Sequence, residues 1–110
     1  MNRYEEMKKY WDKEGINHVP QHVVCAANRE RDTGLILCGA RHWDNVMRVQ
    51  ANAIYPNSKV KGSDWDQGFI DQFGTYLSRK EALEIAQING QNINMDRNSA
   101  ENELYSEGLY

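Results

Sequence analysis

Two short apolar segments separated by a polar connection constrain the fold of this chain most strongly. The first covers residues 22–28 and the second residues 35–40, and both are rich in residues that favour β-structure. The connection, residues 29–34, is polar and carries Asp32 and Gly34 in positions typical of a turn. The pattern predicts an antiparallel β-hairpin with a buried first strand.

A second hairpin pattern leads directly into the strongest helix signal of the sequence. Residues 67–71 and 75–77 are predicted strands, joined by a short connection that contains Gly74. The next residues, Ser78 to Glu81, match a capping box, in which the serine hydroxyl accepts from a helix amide and the glutamate reaches back. Periodic apolar residues then predict a helix that ends at Gly90.

Two further helices are predicted from apolar spacing and stop signals. The first covers residues 2–14 and stops at Gly15. The second runs from Asn45 to Tyr55, with Asp44 as its N-cap and Pro56 as its end.

The remaining segments are a predicted loop and a predicted docked tail. Residues 56–66 are irregular and place Trp65 in an exposed loop, whereas apolar residues near the C-terminus predict a tail docked on the body. The element order predicts the α+β class: two antiparallel β-hairpins forming a small sheet packed with helices, and a docked C-terminal tail. We expect one domain, residues 1–110, with the helix at 1–14 peripheral.

Composition excludes several classes of partner. A formal net charge of −3 argues against a DNA or RNA partner, because such binding requires a basic surface. No apolar stretch approaches the roughly 18 residues of a membrane helix, and the N-terminus lacks the apolar segment of a secretory signal. We therefore expect a cytoplasmic protein with no membrane partner. A chain of 110 residues has little room for a deep cleft of its own, and this size is compatible with oligomerisation.

The sequence contains no pattern typical of catalysis or metal binding. His18 and His22 are four residues apart, but Pro20 between them excludes the helix of a zinc-protease motif. Cys25 and Cys38 lie on the two strands of the first hairpin and are interpreted as buried, reduced thiols. No nucleophile motif and no glycine-rich phosphate loop is present. We expect no enzyme activity, no catalytic residue, no metal and no cofactor.

The segment from Gly39 to Asp44 is the first candidate for ligand binding. Arg41, His42 and Trp43 follow an apolar strand and precede a helix N-terminus, where backbone amides favour anions, and Arg48 follows on the helix. The alternative is that Arg41 pairs with a carboxylate and Trp43 belongs to the core.

The second candidate combines the start of one strand with the start of the last helix. An aromatic ring for stacking (Phe69), an amide for reading a base edge (Gln67) and an arginine for phosphate (Arg79) form a minimal set for a nucleotide-like ligand. The alternative places Phe69 in the core and gives Ser78 only its capping role.

Several motifs, taken in order and spacing, resemble one known family. They are HVVCAA at 22–27, ILCGARHWD at 36–44, QGFID at 67–71, LSRKEA at 77–82 and LYSEGL at 104–109. Together they resemble the phage Thoeris anti-defence sponges of the first type. The resemblance leaves the helix at 1–14 without a counterpart.

The resemblance implies binding without catalysis. Sponges of this type sequester the cyclic ADP-ribose isomer made by a bacterial TIR-domain enzyme, and some members hold cyclic nucleotides. They assemble as dimers or larger oligomers. The resemblance therefore implies a homo-oligomeric phage protein that blocks Thoeris signalling in the cytoplasm of the infected bacterium.

The resemblance also implies roles for individual residues. Phe69 would stack against the adenine and Ser78 would lie near its edge, beside the amide of Gln67. The phosphate partners would be Arg41, Arg48 and Arg79, with Arg97 contributing from the tail.

Two alternatives of other classes remain open. A phage inhibitor could bind a host defence protein directly, as anti-CRISPR proteins do, through the predicted loop with Trp65 and an acidic surface. A small phosphodiesterase or nuclease could use His22 or His42, although no carboxylate pair accompanies them.

Overall fold

The order of helices and strands places the chain in the predicted α+β class. The structure is a computed structural model and describes residues 3–56, 61–98 and 100–109. Its elements are α1 (Arg3–Glu14), β1 (Val23–Glu30), β2 (Ile36–Gly39), α2 (Asn45–Ile54), β3 (Trp65–Asp71), β4 (Tyr76–Ser78), α3 (Arg79–Ile88) and α4 (Ser106–Leu109). A 3₁₀ turn at Gly62–Asp64 precedes β3.

The four strands form one antiparallel sheet in the order β2-β1-β3-β4. Both predicted hairpins are confirmed, and they join through β1 and β3, with Ala26 opposite Phe69. Strand β1 extends beyond its predicted end, because Arg29 and Glu30 also pair with β3. The prediction that these two residues belong to the turn is therefore wrong.

One face of the sheet carries the core. Strand pairing places Ala26, Phe69 and Leu77 side by side on this face, and all three are buried. Helices α2 and α3 pack on the sheet, and Leu104 of the C-terminal segment joins the same cluster, which confirms the docked tail. The buried helix residues of this cluster are Met47, Ala51, Ala82, Leu83 and Ala86. The opposite face carries half-buried side chains, including those of Arg29 and Tyr76.

Two helices have the N-terminal capping hydrogen bonds that the sequence predicts. The Ser78 hydroxyl accepts from the Glu81 amide at 3.1 Å, and the Glu81 carboxylate accepts from the Ser78 amide at 3.0 Å. Asp44 caps α2 by accepting from the Met47 amide at 2.9 Å. Each bond satisfies a backbone donor that would otherwise lack a partner in the first helical turn.

Two glutamine side chains each form two hydrogen bonds with the backbone of one strand residue, in the way that a neighbouring strand would. The Gln50 amide accepts from Cys38 N at 3.1 Å and donates to Cys38 O at 2.9 Å. Gln91 makes the same pair of bonds with Val23, at 2.9 and 2.7 Å. These contacts protect exposed edges of β2 and β1 against pairing with other chains.

Helix α1 packs at one end of the sheet. The rings of Tyr4 and Trp11 lie 5.5 and 5.8 Å from the ring of Phe73, which belongs to the turn between β3 and β4. Trp11 is the buried residue of this helix. No helix in the described part of the chain is long and apolar enough to cross a membrane.

Trp65 lies in a different place from the one predicted. It is the first residue of β3, is 5% exposed and packs edge-to-face on Trp43 with ring centroids 5.5 Å apart. The prediction of an exposed Trp65 is therefore wrong, and a host-protein inhibitor could not use this side chain as its contact. Residues 57–60 of the predicted loop lie outside the described residues.

Candidate functional site

A groove opens where β4 ends and α3 begins. Strand β4 pairs with Gly68, Phe69 and Ile70, so Asp66 and Gln67 of β3 lie beyond its end. The groove has a volume of about 330 Å³. Its lining residues are Arg29, Asp66, Gln67, Tyr76, Ser78, Arg79, Lys80 and Glu103.

The groove brings together three residues predicted to bind a ligand: Gln67, Ser78 and Arg79. The Arg79 guanidinium donates one hydrogen bond to Gln67 Oε1 and another to Leu104 O, the latter at 3.1 Å. Gln67 is exposed, while Ser78 combines its place in the groove with its capping role. The residues of the second candidate site therefore lie together in the groove, with the exception of Phe69.

Two arginines of the groove lie on tyrosine rings. The Arg29 guanidinium carbon is 4.1 Å from the centroid of Tyr76, and that of Arg79 is 4.2 Å from the centroid of Tyr105. Such contacts hold the planar guanidinium groups in fixed positions. Sequence reasoning included Lys80 in its second cluster but missed Arg29 and Tyr76. Side chains alternate between the two faces of a strand. If the predicted strand had been continued past Asn28, this alternation would have placed Arg29 on the same face as Cys25 instead of in a turn.

The lining of the groove carries three cations, Arg29, Arg79 and Lys80, against two carboxylates, Asp66 and Glu103. Asp66 forms an ion pair with Arg31, with Nε and Oδ1 3.1 Å apart. Within residues 3–56, 61–98 and 100–109, no carboxylate lies within ion-pair distance of Arg29 or Arg79. The N-terminus of α3 adds its partial positive charge beside them. This arrangement favours an anionic ligand.

Phe69 does not reach the groove. Its side chain is 0% exposed, and its ring packs edge-to-face on His42 with centroids 5.3 Å apart. Its neighbours across the sheet, Ala26 and Leu77, are also buried. The prediction that Phe69 stacks on an adenine is therefore wrong, because no face of the ring is accessible in this fold.

The other predicted arginines lie outside the lining of the groove. Arg41 is half-buried, its guanidinium donates to Ser106 O at 2.8 Å, and its backbone amide donates to the Asp44 carboxylate at 3.2 Å. Arg48 is exposed on α2, and Arg97 is exposed in a turn after α3. Arg41 and Arg79 nevertheless share a neighbour, because both donate to carbonyls of the segment from Leu104 to Ser106.

The two candidate catalytic histidines, His22 and His42, differ in burial and in hydrogen-bond partners. His22 is exposed and donates its backbone amide to Gln72, whereas the Nε2 atom of His42 lies 2.7 Å from Gly68 O. Among the described residues, no group of three or more His, Cys, Asp or Glu could hold a metal ion. Cys25 and Cys38 are free thiols, and burial, followed by the nearby Cys38, raises the pKa of Cys25 to about 11.

The burial of His42 predicts a loss of stability in acid. Burial lowers the pKa of His42 below its usual value of 6.5, against the opposing effect of its hydrogen bond to Gly68 O. Since the folded state favours the neutral imidazole, this stabilisation is present above about pH 6.5 and is lost as the pH falls through the lowered pKa. Urea unfolding at about pH 7.5 and pH 5 measures the change. His42→Gln should show a smaller difference between the two pH values, and an unchanged difference would contradict this assignment.

Comparison with known proteins gives one family. A family model described as phage T4 y16D protein matches residues 22–110. The chain belongs to this family. The match includes the whole sheet, the groove and the C-terminal segment, whereas α1 lies outside it. It confirms the prediction of a phage protein. No curated protein and no solved structure matches the chain significantly.

Proposed function

We propose that this phage protein binds and sequesters a cyclic ADP-ribose isomer without cleaving it. It would act in the cytoplasm of the infected bacterium and thereby block Thoeris immune signalling. The observation that carries the proposal is the convergence of Gln67, Ser78 and Arg79 with Arg29 and Lys80 in one groove.

The chemistry of the groove suits a pyrophosphate that links two riboses. Guanidinium groups recognise phosphate through several parallel hydrogen bonds, and Arg79, which lies on the Tyr105 ring at the start of α3, can provide them. Lys80 supplies a further positive charge, and the Ser78 hydroxyl and Gln67 amide supply polar groups for ribose and base. These groups support binding of a cyclic ADP-ribose isomer or a related cyclic nucleotide.

The proposal includes a second copy of the chain. The groove volume of about 330 Å³ lies at the lower limit for small-molecule pockets, which bury most of their ligand. A homo-oligomer would close this groove and exclude water from the charged contacts. Arg48 and Arg97 are exposed outside the groove, so a neighbouring copy could present either of them to the ligand.

The test compares ligand affinity in charge variants by calorimetry with cyclic ADP-ribose isomers. We expect Arg79→Gln to lower affinity roughly tenfold or more, because it removes a charged hydrogen-bond donor. Arg3→Gln makes the same charge change on α1, at an ion pair with Glu6, and should leave affinity unchanged.

Arg79 also holds the C-terminal segment, so a second variant is needed. Lys80 is exposed, and Lys80→Gln should weaken binding several-fold without changing the thermal unfolding temperature. Chromatography of the released ligand should recover it intact. Wild-type protein that binds none of the isomers, or that converts one of them, would refute the proposed function.

A further inference from the structure

Gly68 allows a tyrosine ring to lie directly on the backbone of β3. A Cβ atom at this position would lie 2.6 Å from the Tyr76 hydroxyl oxygen and 2.7 Å from the adjacent ring carbon. It would also overlap the Leu77 carbonyl oxygen. The Tyr76 ring therefore occupies space that any other residue at position 68 would fill.

Arg29 covers this ring from the neighbouring strand. It lies opposite Asp66 in the pairing of β1 with β3, and its guanidinium carbon is 4.1 Å from the Tyr76 centroid. Backbone, ring and guanidinium thus form three successive layers, which we call the Arg29 platform (Gly68, Tyr76 and Arg29).

The Arg29 platform lies in the groove and contributes to its lining. Asp66, the acidic residue opposite Arg29, is engaged by Arg31 instead. Arg29 is half-buried and lines the groove, so part of its planar guanidinium group is open to a further flat group on the ligand. Nucleobases stack on arginine planes in the same way as on aromatic rings.

We infer that the Arg29 platform is the surface on which the purine base of the ligand stacks, an inference that rests on the proposed function. It takes the role that the buried Phe69 cannot perform. The base then lies at the β1 side of the groove, while Arg79 and Lys80 at the start of α3 receive the pyrophosphate. Tyr76 is a positioning residue, since its ring lies 4.1 Å from the Arg29 guanidinium carbon and holds that group in the groove.

The inference separates recognition of the base from recognition of phosphate. Arg29→Lys keeps the positive charge but removes the planar group, so it should lower affinity for a cyclic ADP-ribose isomer roughly 5- to 100-fold. The same variant should bind inorganic pyrophosphate within about twofold of wild type, because Arg79 and Lys80, which receive the pyrophosphate, are unchanged and the positive charge at position 29 remains. Arg3→Lys makes the same replacement on α1, outside the groove, and should behave as wild type with both probes.

Two titrations followed by nuclear magnetic resonance, one with a cyclic ADP-ribose isomer and one with inorganic pyrophosphate, test this prediction. Equal weakening of both probes in Arg29→Lys would show a charge contact only and overturn the inference. Unchanged affinity for both probes would overturn it as well. If wild-type protein binds pyrophosphate but no isomer, the proposed function fails, and if it binds an isomer but Arg29→Lys has no effect, only the base platform fails.

Discussion

Phe69→Ala is expected to lower the free energy of unfolding by about 3–5 kcal/mol. Phe69 is fully buried in the centre of the sheet, between Ala26 and Leu77, so truncation leaves a cavity as well as removing apolar contacts. A domain of this size has a total stability of about 5–15 kcal/mol. The variant should therefore unfold at a much lower urea concentration, as followed by circular dichroism.

A more conservative variant controls for the loss of volume. Phe69→Leu retains most of the apolar contacts and should cost about 1.5 kcal/mol or less. Where both variants remain folded, the ligand affinity should stay close to wild type. A Phe69→Ala protein of wild-type stability that no longer binds ligand would contradict the buried position and return this ring to the binding site.

Gly68→Ala should have the second large effect. The new methyl group would overlap the Leu77 carbonyl oxygen and press on Tyr76, so either the pairing of β3 with β4 or the position of the ring must change. Overpacking of this kind costs about 1–3 kcal/mol. We expect a lower thermal unfolding temperature together with weaker binding of the ligand, because the Arg29 platform is displaced.

Gly62 provides a matched control for this substitution. Among the described residues, a Cβ at Gly62 would meet Trp43 Nε1 at an ordinary contact distance of 3.7 Å. Gly62→Ala should therefore change the free energy of unfolding by about 0.5 kcal/mol or less. Equal destabilisation by the two substitutions would show that the close contact at Gly68 is not the cause.

Local signals in the sequence predicted the elements well. The caps at Ser78 and Asp44 depend on hydrogen bonds to residues three positions away, so the sequence alone determines them. The alternating apolar segments likewise predicted both hairpins, because each pairs residues that are close along the chain.

Contacts between residues far apart in the sequence determine the features that the sequence analysis did not predict. Whether Phe69 or Gln67 is buried depends on how β3 packs beneath the helices, and both residues lie on the same side of the strand. Trp65 became a core residue because β3 begins earlier than its local pattern indicates. The partners of Arg41 and Arg79 are carbonyls of the C-terminal segment, 65 and 25 residues further along the chain. No local pattern predicts such contacts.

A native mass spectrum of the wild-type protein, recorded with and without cyclic ADP-ribose isomers, tests the central claim most directly. It reports the number of chains and the mass of any bound ligand in one experiment. The account predicts an oligomer that gains the intact mass of an isomer, with the ligand unchanged after release. A chain that stays monomeric and gains no mass with any isomer would contradict it.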